Sequence, residues 1–177
     1  MNVISSKEAY KSPIFRVTED HAVDPGGFEI KRAIVQHGGS AVMMAIERQG
    51  NVDRILLVRQ YRLPARQYMW ELPAGRLDEG ESPLQTAQRE LREETGYAAQ
   101  NWKELQAFYP SPGYVSEKMT IFIATDLTAG QAENMEDERI ETKWFTAPEV
   151  HKMIESGEIS DAKTMIGYYR WKDSLNQ

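Results

Sequence analysis

The chain contains no cysteine, so disulfides and thiolate metal sites are excluded, in keeping with a reducing cytoplasm. Histidine is scarce. His21, His37 and His151 are the full set, and no two stand at helix or strand ligand spacing. They are read as non-catalytic, with His37 a strand-end residue. Positive charge is in deficit, the net charge being -6. No basic run marks a nucleic-acid groove or an anionic membrane surface, so neither is an expected partner. A polyanionic substrate would have to be met by metal ions or by a few placed arginines. No apolar run approaches a membrane span, and the opening residues MNVISSKEAY lack the basic and apolar regions of a secretory signal. A soluble cytoplasmic protein is expected. Internal repeats and low-complexity linkers are also missing.

What is present is ordinary globular composition. The 177 residues are 41% hydrophobic and 27% charged, which suits one domain with a single core and room for a short extension. Residues 1–12 read as a frayed lead-in. Residues 15–23 and 28–36 read as strands joined by the turn signal Asp24-Pro25-Gly26-Gly27. Residues 40–47 and 54–60 read as a second hairpin broken at Gln49-Gly50-Asn51, and 103–109, 118–126 and 141–146 as later strands. Three helices are expected, over 83–95, over 148–156, and from about 161 with Ser160 as cap. For the first, Ser82 is the N-cap, Pro83 suits the first helical position, Gln85 completes a capping box and Gly96 stops the helix. Strands mixed with a few helices, without regular alternation, predict an α+β fold.

The chemistry concentrates on the first helix. Glu90, Glu93 and Glu94 stand at i, i+3 and i+4 and so share one face. Three carboxylates on one face repel one another, and a bound divalent cation would remove that repulsion. Oxygen-only ligands select hard ions such as Mg²⁺ or Mn²⁺. Arg89 precedes Glu93 by four residues and can pair with it. Gly75 permits a tight bend upstream, which makes the Ala74 carbonyl a candidate extra ligand. A solvated acidic helix face has the same spacing, and spacing alone leaves both readings open.

The stretch from Gly75 to Tyr97 resembles the Nudix box. That pattern is Gly, five residues, Glu, seven residues, Arg-Glu, a bulky apolar residue, any residue, Glu-Glu, any residue, Gly, then an apolar residue. Gly75, Glu81, Arg89, Glu90, Leu91, Glu93, Glu94, Gly96 and Tyr97 fill it, with Tyr97 where an aliphatic residue is more usual. The resemblance implies an α/β/α sandwich around a mixed central sheet, with a short N-terminal antiparallel extension. It implies Glu90 and Glu94 as principal metal ligands, Glu93 as an accessory ligand or part of the network that holds the ligands, Arg89 as their orienting partner, and Glu81 as the group closing the loop onto the helix. Two to three Mg²⁺ or Mn²⁺ ions per site are expected.

The flanks narrow the branch. Gln60-Tyr61-Arg62 followed by Trp70-Glu71-Leu72-Pro73-Ala74-Gly75 resembles the ADP-ribose pyrophosphatase and nucleoside diphosphate sugar hydrolase branch, as does Ser111-Pro112-Gly113-Tyr114. The branch implies a metal contact from the Ala74 carbonyl and substrate contacts from Arg62, Glu71 and Pro112; a guanidinium fork suits phosphate. It also implies a catalytic base in the acidic segment 133–141, where Glu138 is favoured over its rivals Glu136 and Glu141. Phe15, Phe28 and Tyr10 are candidates to stack on the base. Residues 1–37 would form an extension exchanged between the subunits of a homodimer, and 38–177 the Nudix hydrolase domain. The expected reaction is metal-dependent cleavage of the pyrophosphate of ADP-ribose or a related nucleotide sugar. The alternatives are preference for another nucleotide sugar such as GDP-mannose, or a non-catalytic ADP-ribose-binding module.

Overall fold

In a computed structural model of the chain, residues 1–132 and 139–176 are described. They form two compact units. The first, Met1–Gly39 with Phe108–Met119, is built on a three-stranded sheet of β1 (Asn2–Lys11), β2 (Arg16–Val23) and β3 (Glu29–Gln36) in that order. The hairpin between β2 and β3 is in register from Arg16 opposite Gln36 to Val23 opposite Glu29. Its turn works as the residues predict. The Asp24 carboxylate accepts from the N–H of Gly26 at 2.8 Å and of Phe28 at 2.9 Å, and Gly27 takes a φ of 84°.

Residues 1–12 are not frayed. β1 pairs antiparallel with β2 from Asn2 opposite Val23 to Lys11 opposite Arg16. All of β1 is exposed, so no apolar alternation could reveal it; its order comes from backbone pairing with a neighbour rather than from burial. A parallel bridge between Val35 and Val115 joins the 108–119 segment to β3.

The second unit, Ser40–Ala107 with Thr120–Gln177, contains β4 (Ser40–Gln49), β5 (Val52–Arg62), β6 (Gln67–Glu71), β7 (Ala74–Arg76), α1 (Pro83–Thr95), β8 (Tyr97–Phe108), β9 (Met119–Ala129), β10 (Glu141–Thr146), α2 (Ala147–Glu155) and α3 (Ala162–Ser174). The sheet order is β10-β5-β4-β9-β8, with β6 paired to β5 and β7 to β4. β6 and β7 are short and were not expected from the sequence.

Strand periodicity places the layers. In β4, Ala41, Met43 and Ala45 join a cluster with Ala87 and Leu91 of α1 and with Phe122 and Ala124 of β9. Ile121, one residue out of phase, faces the other side, where it lies near Gly167 of α3. Both sides of β4 are therefore covered, and Ser40 through Ile46 are all buried. The expected α+β sandwich around a mixed sheet is observed. Each fully buried Leu or Met in this layer, such as Leu91 or Met43, contributes about 1.5–3 kcal/mol.

Two helix starts differ from the sequence reading. Thr146 caps α2 through a capping box with Glu149, which moves its start to Ala147. Asp161, not Ser160, caps α3; its carboxylate accepts from both the N–H and the hydroxyl of Thr164, at 2.9 and 2.6 Å. No helix among the described residues is long and apolar enough to cross a membrane.

Candidate active site

The site grows from α1. Ser82 and Gln85 form the capping box, and the N–H of Gly96 donates to the Arg92 carbonyl at 2.8 Å with φ of 75°. That left-handed conformation suits glycine. An added Cβ on Gly96 would also lie 2.8 Å from the backbone nitrogen of Ala132, so the helix end and the following chain fit closely. With Ala87 and Leu91 packed on the sheet, the helix cannot rotate, and Glu90, Glu93 and Arg89 fall on its half-buried flank. Glu94 is more enclosed, at 6% exposure.

Arg89 gathers this flank. Its guanidinium donates to both oxygens of Glu81 at 3.0 and 2.8 Å, to Glu90 at 2.7 Å and to Glu93 at 3.1 Å. It also reaches the Arg76 carbonyl at 3.3 Å. One cation thus hydrogen-bonds three carboxylates, with Asp78 a fourth at 3.7 Å, and the bonded glutamates raise the Arg89 pKa, Glu81 foremost. The hydrogen bond from Arg89 and a second from Thr86 lower the Glu81 pKa to about 2. Glu81 therefore ties the loop to the helix, as its place in the pattern implies.

β7 runs beneath this cluster. A Cβ built on Gly75 would meet the Glu90 carboxylate carbon at 1.9 Å and an oxygen at 2.1 Å. Only glycine lets the Glu90 carboxylate lie against the backbone next to Ala74. Among the described residues, no three His, Asp or Glu side chains form a ready metal cage. Two carboxylates, a backbone carbonyl and water would still fit a hard divalent cation such as Mg²⁺, which commonly retains waters.

A second charged cluster lies where β6 ends. Arg62 donates from Nε and Nη2 to the two oxygens of Glu71, at 2.7 and 2.9 Å. Glu71 is 2% exposed, and it also binds the ammonium of the buried Lys163. Lys163 contacts Asp161 at 3.1 Å. Burial pushes the Glu71 pKa up, but Arg62 and Lys163 outweigh it and the net shift is downward. Burial likewise pulls Arg62 down, while the bond to Glu71, aided by the charges of Glu71, Glu94 and Asp161, raises it overall.

Pro112 and the candidate stacking rings are carried by the first unit. Pro112 lies beside Tyr109 and Tyr114 around a cavity of about 610 Å³. Tyr10, Phe15 and Phe28 are in that unit too, all exposed, with the rings of Tyr10 and Phe15 6.1 Å apart. Glu136 and Glu138 lie outside the described residues. Glu141 opens β10 and pairs with Arg59 at 3.5 Å. His37 is half-buried and accepts at Nδ1 from the Gly39 N–H at 3.0 Å.

Lys163 and Asp161 were missed. A signal existed: Lys163, Gly167 and Trp171 recur at fours along α3, so the lysine sits on the buried stripe. A charged residue at such a position needs a buried partner.

A sequence model of the NUDIX domain matches residues 37–166. An ADP-ribose pyrophosphatase of Bacillus subtilis (strain 168) is 38% identical, over 99% of this chain and 98% of that protein. A methanol dehydrogenase activator of Bacillus methanolicus is 35% identical over 97% and 94%. An ADP-ribose pyrophosphatase of Mycobacterium tuberculosis is 35% identical over 93% and 79%. The fold is shared with a crystal structure of an ADP compounds hydrolase, at a TM-score of 0.82 and 22% identity over 99% of this chain and 94% of that one. With the capped glutamate helix, the glycine beneath it and these relatives in agreement, the chain belongs to the NUDIX domain family.

Proposed function

We propose that this protein hydrolyses the pyrophosphate bond of ADP-ribose or a closely related nucleoside diphosphate sugar, with divalent cations as cofactors. For ADP-ribose the products are AMP and ribose 5-phosphate. The observation that carries the reading is the Glu90 carboxylate, held by Arg89 and seated against Gly75. The relatives named ADP-ribose pyrophosphatase support the substrate class.

Glu90, Glu94 and the Ala74 carbonyl would hold two to three Mg²⁺ or Mn²⁺ ions, with Glu93 accessory. When bound, such ions neutralise the diphosphate and lower the pKa of a coordinated water. Arg89 fixes the carboxylates in place, so no reorganisation is needed as charge develops. Arg62 offers its guanidinium to a phosphate oxygen, while Glu71 aims it. Pro112 is assigned to substrate contact. Glu138, outside the described residues, is the proposed base for the attacking water. In-line attack on one phosphorus expels the other phosphate. Residues 1–37 are assigned to a homodimer contact with exchanged strands.

The test is phosphate release, with a coupled phosphatase, from ADP-ribose, GDP-mannose, other nucleotide sugars, diadenosine compounds and nucleoside triphosphates. Mg²⁺ or Mn²⁺ is supplied, and Glu94→Gln serves as control. Preferred turnover of ADP-ribose, abolished in the control, supports the reading. Preference for a nucleoside triphosphate overturns the substrate class, and undiminished turnover by the control overturns the metal site.

A further inference from the structure

The Arg62, Glu71, Lys163 and Asp161 cluster is costly by elementary electrostatics. Glu71 and Lys163 are 2% and 7% exposed, and removing two charges from water costs more than their attraction reliably returns. An apolar pair of the same volume would hold the strand to the helix as well. What the charged cluster adds is direction.

Its hydrogen bonds and one ion pair run in an unbroken chain. The Leu72 N–H donates to the Thr164 hydroxyl oxygen at 2.8 Å. That hydroxyl donates to Asp161 at 2.6 Å, and the other Asp161 oxygen lies 3.1 Å from the Lys163 ammonium. Lys163 binds Oε2 of Glu71, the same oxygen that accepts from Nη2 of Arg62 at 2.9 Å. Glu71 and Leu72 are chain neighbours, so the chain closes on itself between the end of β6 and the first turn of α3. Neither the Glu71 carboxylate nor the Arg62 guanidinium can turn without breaking a buried bond. Arg62 reaches the surface furthest, with 38% of its side chain exposed against 18% for Asp161.

We infer that Lys163, seated by Asp161, is a positioning residue: it locks Glu71 so that Arg62 presents a fixed cation to the substrate's phosphate. The inference rests on the reading of Arg62 as a phosphate contact. It places the selectivity of that contact on α3, 101 residues downstream of the arginine.

Two readouts test it. The first is the NMR signal of the Arg62 Nε–H, which its bond to Glu71 shields from exchange with water. It should be sharp in the unaltered protein and broadened by faster exchange in Lys163→Met. The second is a kinetic cycle with ADP-ribose over Lys163→Met, Arg62→Ala and the double variant. Lys163→Met should raise KM about tenfold with kcat changed far less, since a misaimed contact weakens binding before chemistry. In the Arg62→Ala background the same change should raise KM no further. Asp161→Asn keeps a good helix cap and should move both readouts the same way by less; it stands in if Lys163→Met does not fold. An Nε–H signal unchanged in the variants overturns the inference, as do KM effects that multiply in the double variant. If the unaltered protein turns over no ADP-ribose, the proposed function falls, and the Nε–H signal still decides whether Lys163 positions Arg62.

Discussion

The two charged clusters of the second unit differ in balance and in burial. Around Arg89, one guanidinium serves Glu81, Glu90 and Glu93, and the arginine side chain is 23% exposed. Around Glu71, Arg62 and Lys163 face Glu71 and Asp161, two cations for two carboxylates, with the centre almost sealed from solvent. A balanced, buried cluster is complete as it stands. The Arg89 cluster is not: with Asp78 between Arg89 and Arg76 it still holds four carboxylates to two cations, and has capacity for further positive charge. The comparison teaches that excess charge with access marks the chemistry, while neutrality with burial marks the scaffold that aims it.

The largest expected effect is on the unbalanced side. Glu94→Gln removes one charge and no volume, and kcat should fall about a thousandfold or more, as for loss of a group acting on developing charge, while the melting temperature stays near that of the unaltered protein. Steady-state kinetics and a thermal melt check this; near-normal turnover would sink the assignment of Glu94 as a ligand. Gly75→Ala comes next. The new Cβ would collide with the Glu90 carboxylate, and a displacement of that size costs roughly a hundredfold in turnover.

The balanced cluster should respond in stability instead. Glu71→Gln leaves Lys163 and Arg62 without their shared anion and should cost about 3–5 kcal/mol, lowering the melting temperature by about 10 °C. Glu93→Gln, in the more open cluster, should cost less than about 1 kcal/mol. Denaturant unfolding of the two variants side by side would break the comparison if their costs proved equal.

The smallest effect is that of acid. The hydrogen bonds from Arg89 and Thr86 hold the Glu81 carboxyl at about 2, below its ordinary value of 4.5. A lowered pKa means its contribution to stability is full above about 4.5 and is lost as pH falls toward 2. Melting temperatures across that window should decline, and the decline should be shallower in Glu81→Gln. An unchanged slope would show that Glu81 is not anchored by Arg89.

Where the sequence succeeded and failed follows from the kind of signal involved. α1 was legible to the residue because its determinants are local: Ser82 and Gln85 at one end, Gly96 at the other. β4 was legible from its apolar run. β1 was invisible, since all of its residues are exposed and its order comes from pairing with β2. The start of α3 was misplaced by one residue because Ser160 and Asp161 are both good caps, and the choice depends on which side chain reaches Thr164.

By itself, then, the sequence determined the glutamate helix, its caps, the glycine before it and the α+β class, because each is written in residues within a few turns of one another. The tertiary structure alone decided that Lys163 meets Glu71 across 92 positions and that the Leu72 N–H donates to the Thr164 hydroxyl oxygen. Such pairings depend on how the strand and helix ends converge, and no local spacing encodes that convergence.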